Sequence, residues 1–160
     1  MKANHSDKYS KLKYSLGLFC FLVLGIIIGG YLFSQSQPRS IIAVNKCNDS
    51  CYKSSDLLGL LASVGFTKFD NFIPNVVLET DKTIALKHPF PEARIHYLVI
   101  PKKDIKNIGE ISLEDQDYLI DAYAVMSELI RMENLKEYRV ITNGPGFQNV
   151  TYLHFHLRAN

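Results

Sequence analysis

The stretch Val150–Arg158, VTYLHFHLR, decides the reading of this chain. In an extended backbone alternate side chains share a face, so Tyr152, His154 and His156 point one way and Leu153, Phe155 and Leu157 the other. The second set is apolar enough to lie on a core, which makes the segment a half-buried strand. The first set places two imidazoles about 7 Å apart along the strand, close enough to act on one substrate. A pair of surface histidines satisfies the same alternation, so the segment by itself leaves both readings open.

Outward from this strand the pattern alternates between periods of two and of 3.6. YRVITN, Tyr138–Asn143, reads as a strand joined to it through the glycine-containing turn NGPGFQ. Upstream, Ser112–Met132 opens with a capping-box-like Ser112 and Asp115. Leu113, Leu119, Ala122, Tyr123, Met126, Leu129 and Ile130 then recur at three- and four-residue steps, which predicts a long amphipathic helix. IHYLVIP, Ile95–Pro101, reads as a strand stopped by proline. NVVLET and TIAL flank Asp81-Lys82 as a hairpin, and Ser54–Phe66 reads as a short helix. Strand, strand, strand, long helix, strand, strand is the order of an antiparallel α+β domain of five strands.

The N-terminal part is of another kind. Ser15–Ser34 carries no charge over twenty residues and is about long enough to cross a bilayer as a helix. Lys2, Lys8, Lys11 and Lys13 precede it against a single Asp7, which by the positive-inside tendency keeps the N-terminus cytoplasmic and sends the rest across, into a periplasmic or exoplasmic space. An uncleaved signal anchor is the expectation; a signal cleaved near Ser34–Ser36 is the alternative. Gly25 and Gly29 form a GxxxG that allows close helix pairing. The expected organisation is a cytoplasmic tail over residues 1–14, an anchor over 15–34, a linker over 35–53 and a folded domain over 54–160. Up to Arg39 the chain has five basic residues against one acid, +4; beyond it thirteen against fifteen, −2. A mildly acidic domain gives no electrostatic reason to bind nucleic acid. Cys47 and Cys51 in CNDSC permit a local disulfide outside the membrane; two free thiols and a zinc knuckle are the alternatives.

HYLVIPKKDIKNI, His96–Ile108, followed after the helix by YRVITNGPGFQNVTYLHFHL, closely resembles the histidine triad (HIT) family of nucleotide hydrolases and transferases, whose signature is His-φ-His-φ-His-φ-φ with φ apolar. The resemblance runs from about Ile73 to Leu157. It implies that His154, at the second position, attacks the α-phosphorus and carries the nucleotidyl group, and that His156 stabilises the phosphoryl charge. Asn143, Gln148 and Asn149 match positions that reach the phosphate, and His96 matches a histidine that orients the cluster rather than reacting. In each of the three polar positions a turn residue bonding local backbone is the competing reading. No cofactor and no metal are implied, and a homodimer through the long helix and its neighbouring strand is.

Three departures stand out. Tyr152 replaces the first histidine, a zinc ligand in some branches. His88 occupies the place, eight residues before His96, of an acid or amide that holds the ribose. The chain stops three residues after Leu157, where some members continue, so the leaving-group side is expected to face solvent, a partner subunit or the membrane. The expected activity is hydrolysis or transfer at a nucleoside phosphoanhydride, phosphoramidate or lipid-linked nucleotide. The alternatives are a non-catalytic nucleotide-binding module and a membrane-tethered interaction module.

Overall fold

The computed structural model describes residues 5–43 and 51–160. Two compact units emerge, Met1–Ser34 and Gln35–Asn160. The first is helix α1, His5–Phe33. Its stretch Lys11–Phe33, 23 residues of mean hydropathy 2.5, is long and apolar enough to cross a membrane. Leu16, Phe19, Phe21 and Ile26 are among its exposed side chains.

The second unit is a five-stranded antiparallel sheet between two helices. Helix α2 spans Ser54–Lys68. Strands β1 (Val76–Glu79) and β2 (Thr83–Lys87) form the hairpin, and β3 (Ile95–Pro101) follows. Helix α3 covers Gln116–Met132, and β4 (Arg139–Ile141) and β5 (Phe155–Ala159) complete the order β1-β2-β3-β5-β4. The capping box is present: the Ser112 N–H donates to Asp115 Oδ2 over 2.8 Å, with a short 3-10 turn between it and α3. Of the apolar stripe expected on that helix, Ala122, Met126 and Leu129 are buried with Val125, whereas Leu113 and Tyr123 are exposed.

The pleat divides the core in two. Ala85, Tyr97, Val99, Phe155 and Leu157 pack with Leu153 under α3. Ile84, Leu86, Ile100 and Tyr152 pack on the other face with Ala62 and Phe66 of α2. The alternation of Val150–Arg158 is therefore realised, but the ladder begins only at Phe155. The Leu153 N–H donates instead to the Ile105 carbonyl over 2.6 Å, and Tyr152 N–H to the Val150 carbonyl over 2.8 Å. By register Leu153 and His154 would face Pro101 and Ile100, but the bond from Leu153 to Ile105 ends the ladder at Phe155 opposite Val99.

Residues 36–39, expected as linker, are bonded into the globular unit. Ser36 and Ser63 hydroxyls share a 2.8 Å hydrogen bond. The Arg39 guanidinium grips Asp104 in bidentate fashion, Nη1 to Oδ2 over 2.6 Å and Nη2 to Oδ1 over 2.5 Å, with side-chain exposures of 1% and 0%. Arg39 also donates to the Thr151 carbonyl over 2.7 Å, and the Gln37 N–H to Asp104 over 2.8 Å. Gly59 of α2 makes room for this clasp: a Cβ there would lie 2.2 Å from Thr151 Oγ1 and 2.8 Å from Arg39 Nε. Cys51 is disulfide-bonded, which removes it as a free thiol or thiolate ligand; Cys20 is free, and Cys47 lies outside the described residues.

Candidate active site

His154 closes the non-paired segment just before β5. Its Nδ1 lies 2.7 Å from the Tyr152 carbonyl. A carbonyl only accepts, so Nδ1 carries the proton and Nε2 keeps its lone pair. Burial lowers the His154 pKa below its usual value, against a raising contribution from that carbonyl, so the ring is neutral at physiological pH. The carbonyl belongs to the backbone, so replacing histidine by Tyr152 leaves this contact intact. The tyrosine side chain is fully buried, and its hydroxyl donates to the Pro101 carbonyl over 2.9 Å while its ring packs on Phe66.

One residue further along the same face, His156 Nδ1 lies 2.9 Å from His96 Nε2. The Glu92 N–H donates to His96 Nδ1 over 3.2 Å, which leaves the His96 proton on Nε2 and makes it the donor to His156. Arg158 Nε–H is also directed at His96 Nε2, over 3.2 Å, a donor that competes with that proton. Arg158 is partly exposed and bonded to Glu92 at 2.6 Å, so it can yield where a backbone amide cannot. The proton of His156 therefore sits on Nε2, a buried atom without a partner among the described residues. An N–H left bare in this way costs free energy until an acceptor arrives. Burial first, then the neighbouring imidazoles and Arg158, hold the His156 pKa down at about 3; burial and then His88 hold that of His96 at about 4.

These rings open into a cavity of about 770 Å³. Its polar lining is His88, Asn143, Asn149, His154, His156 and Arg158; Leu58, Leu61 and Phe66 of α2, with Phe90 and Phe147, are part of its apolar lining. Tyr152 contributes to the wall, and His96 acts from behind through His156. Gln148 does not reach this cavity: its amide donates to the Lys106 carbonyl over 3.0 Å and it lines a neighbouring cavity with Arg39 and Asn107. Arg158, Glu92 and the two loop phenylalanines carry no motif; the strand register, in which His96 faces Arg158, brings in Arg158, and Glu92 follows as its ion-pair partner.

His88, His96 and His156 each place a ring nitrogen within 4.8 Å of the others, which raises the question of a metal. An imidazole binds an ion in its own plane, and the His88 and His96 rings are stacked, 4.1 Å apart with planes 5° from parallel. Backbone N–H groups of Phe90 and Glu92 moreover occupy their Nδ1 atoms. The trio is built as a hydrogen-bonding array rather than as a ligand set.

The fold and this site define a class of α+β domains that gather histidines around one cavity, and comparison with known proteins identifies the family. Residues 67–160 match the family described as scavenger mRNA decapping enzyme C-term binding. An uncharacterized HIT-like protein of Chlamydia trachomatis is 36% identical over 84 residues, covering 51% of this chain and 76% of its own. The purine nucleoside phosphoramidase of Escherichia coli is 31% identical over 87 residues, covering 52% and 73%. The crystal structure of a HIT family hydrolase from Legionella pneumophila aligns with a TM-score of 0.55 at 31% identity, over 59% of this chain and 89% of that one. The chain belongs to the HIT family.

Proposed function

We propose that the chain is a nucleotidyl hydrolase or transferase working through a covalent intermediate on His154. The observation that carries this reading is that His154, neutral with its Nε2 lone pair free, and His156, whose buried Nε2 has no partner among the described residues, line one cavity. The His154 lone pair attacks the α-phosphorus, and the bond to the leaving group breaks. The leaving group departs with the bonding electrons and takes a proton from water. His156 Nε2–H bonds a non-bridging oxygen as charge grows there. The Tyr152 carbonyl steadies the positive charge that N–P bond formation puts on the His154 ring. Water then attacks phosphorus, the N–P bond breaks, and nucleoside monophosphate leaves.

Asn143 and Asn149 bind the phosphate as amide donors, and the apolar lining holds the base. The substrate is a phosphoanhydride, a phosphoramidate, as in the named E. coli relative, or a lipid-linked nucleotide. Gln148 is assigned a structural rather than a phosphate-binding part. Helix α1 is assigned as a membrane anchor over 15–34, N-terminus inside, with the globular unit in the periplasmic or exoplasmic space. The exposed β4 edge and the apolar Leu113, Ile120 and Tyr123 of the α3 side support a homodimer.

Rapid alkaline, denaturing quench of the full chain with adenosine phosphoramidate and with a CDP-linked lipid, followed by intact-mass spectrometry, tests the mechanism. A nucleoside monophosphate adduct present in the wild type and absent from His154→Ala is the expected result. Nucleotide binding without adduct or turnover would point to the non-catalytic module instead.

A further inference from the structure

His88 is the one imidazole of the cluster that the mechanism above leaves unused. Its backbone N–H is bonded to the His96 carbonyl at 2.9 Å, which seats it at the end of β2 beside β3. Its ring lies flat on that of His96, and the Phe90 N–H donates to its Nδ1 over 3.0 Å. An Nδ1 that accepts is unprotonated, so the neutral His88 ring carries its proton on Nε2. The contacts of His88 thus fix both its plane and its tautomer, and they deliver a second imidazole N–H to the cavity lined by His154 and His156.

The hydrogen-bonding groups on this wall include several N–H donors. His88 and His156 offer N–H donors, Asn143 and Asn149 offer amides, and the single carboxylate, Glu92, is engaged by Arg158. A pair of sugar hydroxyls needs acceptors for its own protons, and His88 has none to give. A phosphoryl group has only acceptors. A ring nitrogen of His88 and one of His156 lie within 4.8 Å of each other, and the ring centroids are 5.7 Å apart, which puts both imidazoles within reach of a single tetrahedral phosphate.

We infer that His88 is a phosphoryl-oxygen donor: its Nε2–H and that of His156 clamp two non-bridging oxygens of the same α-phosphate, leaving the sugar hydroxyls unrecognised at this position. This rests on the proposed nucleotide site and names what the site selects, a nucleotide whose 2′-hydroxyl is dispensable. His88 bonds no leaving group and moves no proton; the clamp holds charge that grows as His154 attacks.

The test is calorimetric titration of the full chain in detergent micelles with adenosine, adenosine 5′-monophosphate and its 2′-deoxy form, for wild type, His88→Ala and His88→Asn. His88→Ala weakens the two monophosphates by the same factor, about tenfold or more for a lost bond to a charged group, and leaves adenosine within about twofold. His88→Asn, which retains an N–H donor, recovers part of the loss. A loss seen with the ribonucleotide and absent with the deoxynucleotide would assign His88 to the sugar and overturn the inference. So would an equal loss with adenosine, which would mean that stacking on His96 is all that His88 does. A wild type that binds adenosine monophosphate while His88→Ala binds it equally well removes this inference alone; a wild type that binds no monophosphate removes the nucleotide reading with it.

Discussion

Replacing Arg39 by alanine unfolds more than it deletes. The variant leaves the Asp104 carboxylate, whose side chain is 0% exposed, with the Gln37 N–H at 2.8 Å in place of a bidentate guanidinium, and it strips the Thr151 carbonyl of two donors. Removing one partner of a buried ion pair costs about 3–5 kcal/mol, because the other charge stays behind without compensation. For a unit running from Gln35 to Asn160 that corresponds to a fall in melting temperature of about 10–20 °C. The assay is urea and thermal unfolding of the full chain in micelles followed by tyrosine signals, since the sequence has nine tyrosines and no tryptophan. The paired variant Arg39→Met with Asp104→Leu should recover most of the loss, as apolar replacements of buried pairs often do. The same arithmetic sets a boundary: a soluble fragment beginning at Ser40 lacks the guanidinium and should melt as Arg39→Ala does, whereas one beginning at Gln35 should not. A single alanine variant within about 1 kcal/mol of wild type would refute the clasp as a stabilising element, because only an exposed pair is worth so little.

Gly59→Ala drives a Cβ to 2.6 Å from the Thr151 carbonyl oxygen and should lower the melting temperature on the scale of Arg39→Ala, while Gly65→Ala on the same helix, where a Cβ meets nothing within 4 Å, should raise stability by about 0.5–1 kcal/mol. Acidification tests the buried imidazoles. His96 and His156 titrate near 4 and 3 when folded and near 6.5 when unfolded, so the unfolded chain binds their protons first, and stability falls as pH drops from about 6.5 towards 4. In urea midpoints against pH, His156→Asn should flatten that descent; an equally steep curve would mean the ring is not held neutral. Tyr152→Phe strands the Pro101 carbonyl in the core and should cost about 1–2 kcal/mol in the same unfolding assay, the hydroxyl having no other partner.

The long helix, the hairpin and the inward face of Val150–Arg158 were legible because each rests on periodicity, which survives without knowledge of neighbours. The start of β5 was not, since it depends on the bond that Leu153 makes to Ile105, which alternation within Val150–His154 does not reveal. Ser34–Ser40 has the composition of a linker, and nothing local marks Arg39 as buried; its carboxylate is 65 residues away. His154, His156, Asn143, Asn149 and His88 converge as the motif order implied, because one strand and its flanking loops carry most of them. Gln148 diverges because the turn around Gly146, whose φ is +88°, aims its amide at Lys106 instead. Arg158 and Glu92 enter through register, which alternation alone cannot supply.

The clasp also has a mechanical reading. Chain leaving α1 enters the globular unit at Ser36, Gln37 and Arg39, where it is held by Ser63, Asp104 and Thr151. Tension transmitted along the backbone from residue 34 therefore falls first on several hydrogen bonds and one ion pair. Part of that load is delivered by Arg39 to the Thr151 carbonyl, three residues before His154, so the guanidinium ties the chain leaving α1 to the segment that carries the imidazole.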